Sequence, residues 1–445
     1  MSEIDSASYI LIFLTAAMAA AMFYWSDRKT GNIPFFSPLR WFSVGFLILF
    51  VIQPINHLYY DKWEFEVFDS VSFQWMQFAC FLSGLSFLLG WVLRPEVRFA
   101  DSVQVFDGPL DTRATYWTQF MLLIVPTAIG VFGIAYWYGG TIDSFLSGER
   151  SGVINAAQAG YYSLTIFAFC ATLALALVGL IAVQRNIFSL PGLISTLLLF
   201  IFAVVSIQLG ARLRILFMFM GVLGAIAAQV SRKSFIKIIA LSGMIMVFFV
   251  YAQGRLRYEF AFSSVVQEWE ERLDPGEEGL YYSFFMKGDF DAFENGIAVL
   301  NAVPRDHDFL YGRSILSLLY NPIPRIWWPD KPTLGSASIL EATQFGRRAG
   351  GEFNIAVCLP AELYVNFSWP GVIFGMMLFG YLSRTFYETW AISPNRSKGL
   401  VNLGLFCAYI LLVLRGSFHS MTAYYLYVVS WMIFSSVVAS RLSRL

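Results

Sequence analysis

The chain has 445 residues, of which 57% are hydrophobic, 18% aromatic and only 13% charged, a composition too apolar for an ordinary soluble protein. Its formal net charge is zero and no basic run exceeds two residues, which argues against nucleic acid as a partner. Abundant aromatic residues are typical of lipid-facing helices and interfacial belts, so the sequence predicts an integral membrane protein.

The N-terminal segment MSEIDSAS carries Glu3 and Asp5 but no basic residue before the first apolar run. A secretory signal needs a basic segment there, whereas Arg28 and Lys29 follow the run instead. This order predicts a first membrane span whose N-terminus faces outward.

Apolar runs long enough to cross a bilayer recur along the chain, each close to the roughly twenty residues that a spanning helix needs. The eleven runs cover approximately residues 8–25, 41–58, 73–93, 117–138, 161–183, 190–209, 213–230, 236–253, 356–382, 399–416 and 421–440. The short connections hold fifteen Lys and Arg residues on one side and five on the other, namely Lys62, Arg150, Arg212, Arg214 and Arg415. The positive-inside rule then predicts an all-α polytopic membrane protein with an outward N-terminus and a C-terminus on the inner side.

One long segment, residues 254–355, is too polar to span a bilayer and separates the eighth and ninth runs. Loops of this length are usually functional or disordered, and the aromatic residues here argue against disorder. We predict a single membrane domain over residues 1–445, with this segment as an outward-facing, partly helical cap. Phe262–Leu273 and Phe290–Val303 have helical patterns, whereas four prolines exclude a regular helix over Asn321–Gly335.

Arg212 and Arg214 lie where the sixth run turns into the seventh, in the sequence QLGARLRILFM. Guanidinium groups at membrane depth are costly unless they pair with an anion or line a wet cavity. Two interpretations are open: both side chains snorkel to the outer head groups, or their planar forks bind a phosphate.

The proline-rich sequence NPIPRIWWPDKPTLG contains Arg325, Trp327, Trp328, Asp330 and Lys331. An Arg and a Lys on a rigid loop offer donors to phosphate, and the neighbouring indoles offer a flat face for a sugar ring. The alternative is structural, with ion pairs and proline packing that stabilise the turns.

Three further candidates lie near the outer ends of the last three runs. Glu362, within PAELYVNFSWPG, is a candidate general base or else a partner for Arg212 or Arg415. Arg415 and His419 lie in LRGSFHS, between the tenth and eleventh runs. His419 is suited to take a proton near neutrality, although a plain structural role is the alternative.

Other polar residues show no clear pattern of a site. Asp289, Asp291 and Glu294 resemble a weak oxygen-ligand set without EF-hand spacing, and a solvated helix start capped by acids explains them. His57 and His307 have no companions that indicate a metal. The four cysteines have no metal-ligand spacing, and three of them, inside predicted runs, are interpreted as buried free thiols. The four are Cys80, Cys170, Cys358 and Cys407.

The region Tyr311–Gly371 resembles the Wzy-type O-antigen polymerases, and more narrowly the oligosaccharide repeat unit polymerases. The resemblance rests on YGRSILSLLYNPIPRIWWPDKP and PAELYVNFSWPG, in which the pattern IPR..WP.KP is followed by ELY.NF...G. It extends to Gly210-Ala211-Arg212 and to Leu414-Arg415-Gly416, whereas the other runs agree only in hydropathy and number.

This resemblance implies a bacterial inner-membrane protein with a periplasmic N-terminus and cap, related in fold to the lipid-carrier-dependent GT-C glycosyltransferases. It implies polymerisation of undecaprenyl-pyrophosphate-linked repeat units into O-antigen or a related surface polysaccharide, with a chain-length regulator and a flippase as partners. By position, Arg212, Arg325, Glu362 and Arg415 match recurrent residues of the family, whereas Arg214 and His419 are proposed from local chemistry.

The chemistry that the resemblance implies explains the number of arginines. Pyrophosphate leaves as a stable anion, so it needs charge stabilisation rather than a protonating acid. Arg212, Arg325 and Arg415 would hold the pyrophosphate, and Glu362 or His419 would activate the acceptor hydroxyl. We predict that the transfer needs no metal and no cofactor, and that it inverts the anomeric carbon.

Two other functions are open. An O-antigen ligase, which moves finished glycan onto the lipid A core, would share the outward cavity and the arginines. A flippase or transporter without catalysis is the other alternative, although transporters tend to show repeat symmetry and charges near the midplane, and neither is visible here. The pattern IPR..WP.KP favours the polymerase.

Overall fold

The computed structural model describes residues 6–29, 34–60, 70–93, 113–137, 162–183, 188–208, 212–255, 281, 292–320, 322–324, 326–332, 357–391, 393, 395–416 and 418–442. Most of these residues are helical, and no strand occurs among them. The α-helices are α1 (Ser6–Lys29), α2 (Pro38–Leu47), α3 (Gln53–Tyr60), α4 (Ser70–Leu93), α5 (Arg113–Trp137), α6 (Tyr162–Val183), α7 (Leu190–Gln208), α8 (Arg212–Gln229), α9 (Arg232–Arg255), α10 (Ala292–Ala302), α11 (Arg313–Tyr320), α12 (Leu359–Ala391), α13 (Arg396–Arg415) and α14 (Phe418–Leu442). A 3₁₀ turn (Pro34–Phe36) precedes α2, and a π-helical turn (Ile48–Ile52) joins α2 to α3.

Nine helical segments in the described ranges are long and apolar enough to cross a membrane. They are α1, the continuous unit Pro38–Tyr60, α4 to α7 and α12 to α14, and each coincides with a predicted run. The other two predicted runs fall on α8, whose apolar part, Arg214–Gln229, is shorter than a span, and on α9, which begins with two adjacent basic residues. The chain is therefore an all-α, multi-pass membrane protein, while the count of eleven spans stays a prediction.

Helix α13 lies at the centre of the bundle. Within its apolar window 83% of the residues are buried, against 28% in α1 and in α5. It packs against α2, α8, α12 and α14. The outer helices instead expose large apolar side chains, such as Phe13 on α1 (72%) and Phe132 on α5 (73%). Such side chains suit contact with lipid, whose tails are as apolar as they are.

Reciprocal glycines allow the backbones of α4 and α12 to approach closely. A Cβ atom on Gly90 would overlap the carbonyl oxygen of Met377, and a Cβ atom on Gly380 would overlap that of Phe87. Small residues at such crossings are typical of membrane helices, because association there depends on close packing. The same reciprocal arrangement recurs between α8 and α13.

The variant Gly380→Ala should therefore destabilise the protein by about 1–3 kcal/mol, the usual cost of overpacking. Thermal unfolding in detergent micelles should show a lower midpoint for this variant. The matched control is Gly243→Ala on α9, where no atom lies within 4 Å of the added methyl group, so its midpoint should not fall. Equal midpoints for both variants would contradict the close crossing of α4 and α12.

The two ends of the bundle differ in what packs against them. We define the loop end as the end where α1, α4, α12 and α14 begin. Gln74 of α4 donates to Ser8 of α1 there at 3.5 Å, whereas Arg384 of α12 donates to the carbonyl of Trp91 on α4 at the opposite end at 2.9 Å. Helices α10 and α11, from the predicted cap, pack against α4, α12 and α14 at the loop end.

Helix α10 confirms the helical prediction for Phe290–Val303, whereas Phe262–Leu273 lies outside the described residues. The solvated interpretation is wrong for Glu294, which is completely buried, with Oε2 4.0 Å from Nδ1 of His57. The apolar residues of α10 pack into the bundle, and the carboxylate of Glu294, on the same helix, is buried together with them. His57, for which the sequence indicates no companion, is buried beside this carboxylate.

The structure describes the cysteines and His307, but not every other polar residue considered in the sequence. All four cysteines are buried free thiols, one more than the three predicted. His307 lies in the turn that follows α10, whereas Asp289 and Asp291 lie outside the described residues.

Candidate functional site

A buried carboxylate, Glu362, is held at the loop end by donors from two other helices. Its Oε1 accepts a hydrogen bond from the hydroxyl of Ser314 on α11 at 2.9 Å, and its Oε2 accepts one from the backbone N–H of Phe418 at 2.7 Å. Nδ2 of Asn366 donates to Ser314 Oγ at 2.7 Å and to the Glu362 carbonyl at 2.8 Å. The side chains of Ser314, Glu362 and Asn366 are all buried. This cluster joins the cap to the starts of α12 and α14.

A break in α12 places Glu362 on a short, separate helical segment. The dihedral angles leave the helical region at Phe367 and Ser368, shortly before Pro370. Proline has no N–H to continue the helical ladder, so its neighbourhood is the expected place for such a break. The backbone N–H of Leu310 donates to the carbonyl of Val365 at 2.9 Å. The first two turns of α12 are thereby attached to the cap.

The backbone is strained on both sides of this attachment. Ser368 and Tyr311 have positive φ angles of 57° and 47°, which are uncommon for residues other than glycine. Gly312 has a φ of 83°, and a Cβ atom there would lie 2.9 Å from Cζ of Phe367. Strained backbone of this kind clusters at functional sites. The break in α12 is therefore a second reason to look for function at the loop end.

The carboxylate of Glu362 caps the start of α14 and does not contact solvent. The first N–H groups of a helix lack partners within the helix, and a carboxylate there also interacts favourably with the helix dipole. Because the residue is completely buried, neither carboxylate oxygen reaches the surface in this conformation. The geometry thus gives Glu362 a positioning role for Phe418 and the residue that follows it.

That next residue is His419, in the first turn of α14. Its Nε2 lies 3.0 Å from Oγ of Ser420. Its Nδ1 is buried and has no hydrogen-bond partner in the part of the chain that the structure describes. A buried polar atom of this kind calls for a specific explanation, such as a catalytic role or a bound molecule. His419, next to the residue that Glu362 binds, is therefore a titratable group at the loop end with a nitrogen still available.

Arg214 and Arg415 also lie at the loop end. Arg214 is 5% exposed, its Cζ lies 4.6 Å from the ring centroid of Tyr424 on α14, and it donates a hydrogen bond to the Tyr424 hydroxyl. The snorkelling interpretation is wrong for Arg214, because a snorkelling guanidinium would lie in water. Arg415 occupies the last turn of α13, where the helix dipole favours a cation. The side chain of Arg212 and the whole of Arg325 lie outside the described residues.

The proline-rich segment forms successive turns, as its prolines predict. The N–H groups of Trp327 and Trp328 both donate to the carbonyl of Pro324, at 3.0 and 3.2 Å. Nζ of Lys331 donates to the carbonyl of Ile323 at 2.9 Å, which favours the structural interpretation of Lys331.

The side chains of this segment have different surroundings. Trp328 packs edge-on against Tyr320, with ring centroids 5.7 Å apart. Trp327 is 75% exposed, and Asp330 is exposed as well. The two neighbouring indoles therefore have separate environments, and only that of Trp327 is largely open.

The structure adds polar residues that the sequence analysis missed. Asn366 follows Glu362 by four residues, a spacing that places both on one helix face, so that part was detectable. Ser314 meets them only through the tertiary fold. A second polar chain lies beside His57, the neighbour of Glu294: Nδ2 of the buried Asn56 lies 3.4 Å from Oε1 of Gln53, and the hydroxyl of the exposed Tyr281 donates to Oδ1 of Asn56 at 2.8 Å.

The described residues contain no candidate metal site, and the comparisons with known proteins find no relative. In the described ranges, no three His, Cys, Asp or Glu side chains lie close enough together to hold a metal ion. No protein-family model, no curated protein and no solved structure matches the chain. The likeness to Wzy-type polymerases therefore rests on the sequence pattern alone.

Proposed function

We propose that this protein is a membrane glycosyltransferase that polymerises undecaprenyl-pyrophosphate-linked repeat units at the periplasmic face of the bacterial inner membrane. One observation carries the proposal. Glu362 and the first turn of α14 that it binds, which carries His419, lie at the same end of the bundle as Arg214, Arg415 and the cap. The sequence pattern that resembles the polymerases lies in that cap and in the adjoining start of α12.

The reaction forms one glycosidic bond and breaks one phosphoester bond. The acceptor sugar hydroxyl attacks the anomeric carbon of the growing chain, and its proton passes to a base. The bond from that carbon to the pyrophosphate oxygen breaks, and the electron pair leaves with undecaprenyl pyrophosphate. Arg212, Arg325 and Arg415 stabilise the growing negative charge, and in-line attack inverts the anomeric carbon.

His419 is the better candidate for the base. A base must come within hydrogen-bond reach of the proton that it removes, and in an empty site this contact is often incomplete. Each oxygen of Glu362 already accepts a hydrogen bond, whereas Nδ1 of His419 has no partner among the described residues. Glu362 then positions the first turn of α14, from which His419 projects.

The proposed topology has eleven spans of the GT-C type with the loop end in the periplasm. This orientation follows from the distribution of Lys and Arg, and it brings the site to the side on which lipid-linked repeats are polymerised. A flippase would then deliver the repeat units, and a chain-length regulator would set the length of the product.

The test is a gel of surface polysaccharide from a deletion strain complemented with variants. Deletion should collapse the ladder to a single-repeat band, and wild type should restore the ladder. Loss of even the single-repeat band would favour a ligase or a transporter, and an unchanged ladder would contradict the glycan assignment.

Arg325→Ala and Arg212→Ala should each fail to restore the ladder at normal protein levels, since each removes a pyrophosphate ligand. Arg305→Ala is a matched control on the cap, because Arg305 forms an exposed ion pair with Asp306 at 2.9 Å, and such pairs contribute little to stability. It should restore the full ladder. A full ladder with either Arg325→Ala or Arg212→Ala would contradict the mechanism as proposed.

A further inference from the structure

Helix α11 exposes two of its leucines although it lies on the surface of the protein, beside the exposed Arg313 of its first turn. Its serines are buried, with Ser314 0% and Ser317 4% exposed, whereas Leu316 and Leu319 are 54% and 75% exposed. A surface helix in water buries its apolar stripe and exposes its polar residues. The serines of α11 are instead turned inward, where Ser314 donates to Glu362.

The exposed leucines belong to a larger apolar surface of the cap. Tyr311, before α11, is 70% exposed, and Ile323, Ile326 and Trp327, after it, are 37%, 50% and 75% exposed. We call these residues, together with Leu316 and Leu319, the apolar cap face. Exposed apolar groups of this extent mark interaction surfaces or membrane contacts.

The position of α11 sets the level of this face relative to the membrane helices. Ser314 bonds Glu362 in the first turn of α12, and the same carboxylate accepts from the first residue of α14. Both helices are candidate membrane spans from their first residues onward. Helix α11 therefore lies level with the ends of two spans, where acyl chains give way to head groups. Phe367, whose ring contacts Gly312, is also 47% exposed at this level.

We propose that the apolar cap face is a membrane-contact site that lies in the phospholipid head-group and acyl boundary of the leaflet at the loop end. Tryptophan is enriched at this boundary, and amphipathic helices bind it by burying an apolar face. The flanking Asp330 and Lys331 would remain among the head groups. The site holds the cap against the bilayer, and this role does not depend on the proposed polymerase activity.

Spin labels on full-length protein in nanodiscs of phosphatidylethanolamine and phosphatidylglycerol test the proposal. One label is placed at Leu319→Cys, a second at Ile326→Cys, and the control label at Asp306→Cys in the exposed turn after α10. The four native cysteines are buried, so unsubstituted protein gives the background. Collision rates with oxygen, which partitions into lipid, and with a water-soluble nickel chelate are then measured.

Labels at positions 319 and 326 should show several-fold lower nickel access and several-fold higher oxygen access than the label at 306. Equal nickel access at all three positions would show that the face lies in water. Low access to both reagents at positions 319 and 326 would show that protein covers the face, either a partner or a second copy. Either of these results would overturn the proposal.

Discussion

Replacement of His419 by glutamine is expected to lower the rate of glycan polymerisation about 100-fold or more, because a general base typically contributes about 10²- to 10⁴-fold. Glutamine retains a polar group near Ser420 but cannot take up a proton from the acceptor hydroxyl. The rate is measured with purified protein and lipid-linked repeat units, at enzyme concentrations corrected for folded protein.

His307→Gln is the matched control, because His307 lies on the cap but outside the Glu362 cluster. This variant should polymerise at close to the wild-type rate. A wild-type rate for His419→Gln would exclude His419 as the base. Equal losses in both variants would indicate a general effect on the loop end rather than proton transfer.

Substitutions of Glu362 should separate positioning from proton transfer. Glu362→Ala leaves the Ser314 hydroxyl and the Phe418 N–H without their acceptor in a buried site, at a cost of about 1–3 kcal/mol for each unsatisfied group. We therefore expect a lower thermal midpoint and a lower kcat. Glu362→Gln keeps the shape of the side chain and can still accept a hydrogen bond from the N–H of Phe418. This variant should therefore retain most of the wild-type thermal stability and most of the wild-type kcat.

Glu388→Ala, on the same helix, is the control for loss of a carboxylate. Glu388 is partly exposed, and it accepts a hydrogen bond from Arg384 at 2.7 Å at the end of the bundle opposite the cap. Glu388→Ala should therefore leave both the thermal midpoint and kcat close to their wild-type values. If Glu362→Gln folds normally but is as inactive as His419→Gln, then Glu362 is the base and the positioning role is wrong.

The membrane helices were predictable because a single physical requirement dominates them. A chain in lipid must satisfy its backbone hydrogen bonds internally, so each apolar run of sufficient length becomes a helix. The run predicted at 161–183, for example, is α6, Tyr162–Val183. The break at Phe367 and Ser368 was less visible, because hydropathy runs through it without interruption and only Pro370 signals it.

The candidate site was only partly predictable, because its partners come from distant parts of the chain. The residue types of Glu362 and His419 made both of them candidates. The connection between them is the backbone N–H of Phe418, which donates to Glu362, and a backbone contact of this kind cannot be predicted from the type of residue. Ser314 lies 48 positions before Glu362, and its role depends on how the cap docks. The burial of Glu294 was missed because the acids before it suggested a solvated helix start.

The most direct test of the proposed polymerase activity is a reconstitution of purified protein in proteoliposomes with undecaprenyl-pyrophosphate-linked repeat units. We expect a ladder of glycans that remain linked to the carrier lipid, with release of one undecaprenyl pyrophosphate for each bond formed and no ladder with His419→Gln. Movement of unextended repeat units across the vesicle membrane, without any ladder from the wild-type protein, would contradict the proposed activity.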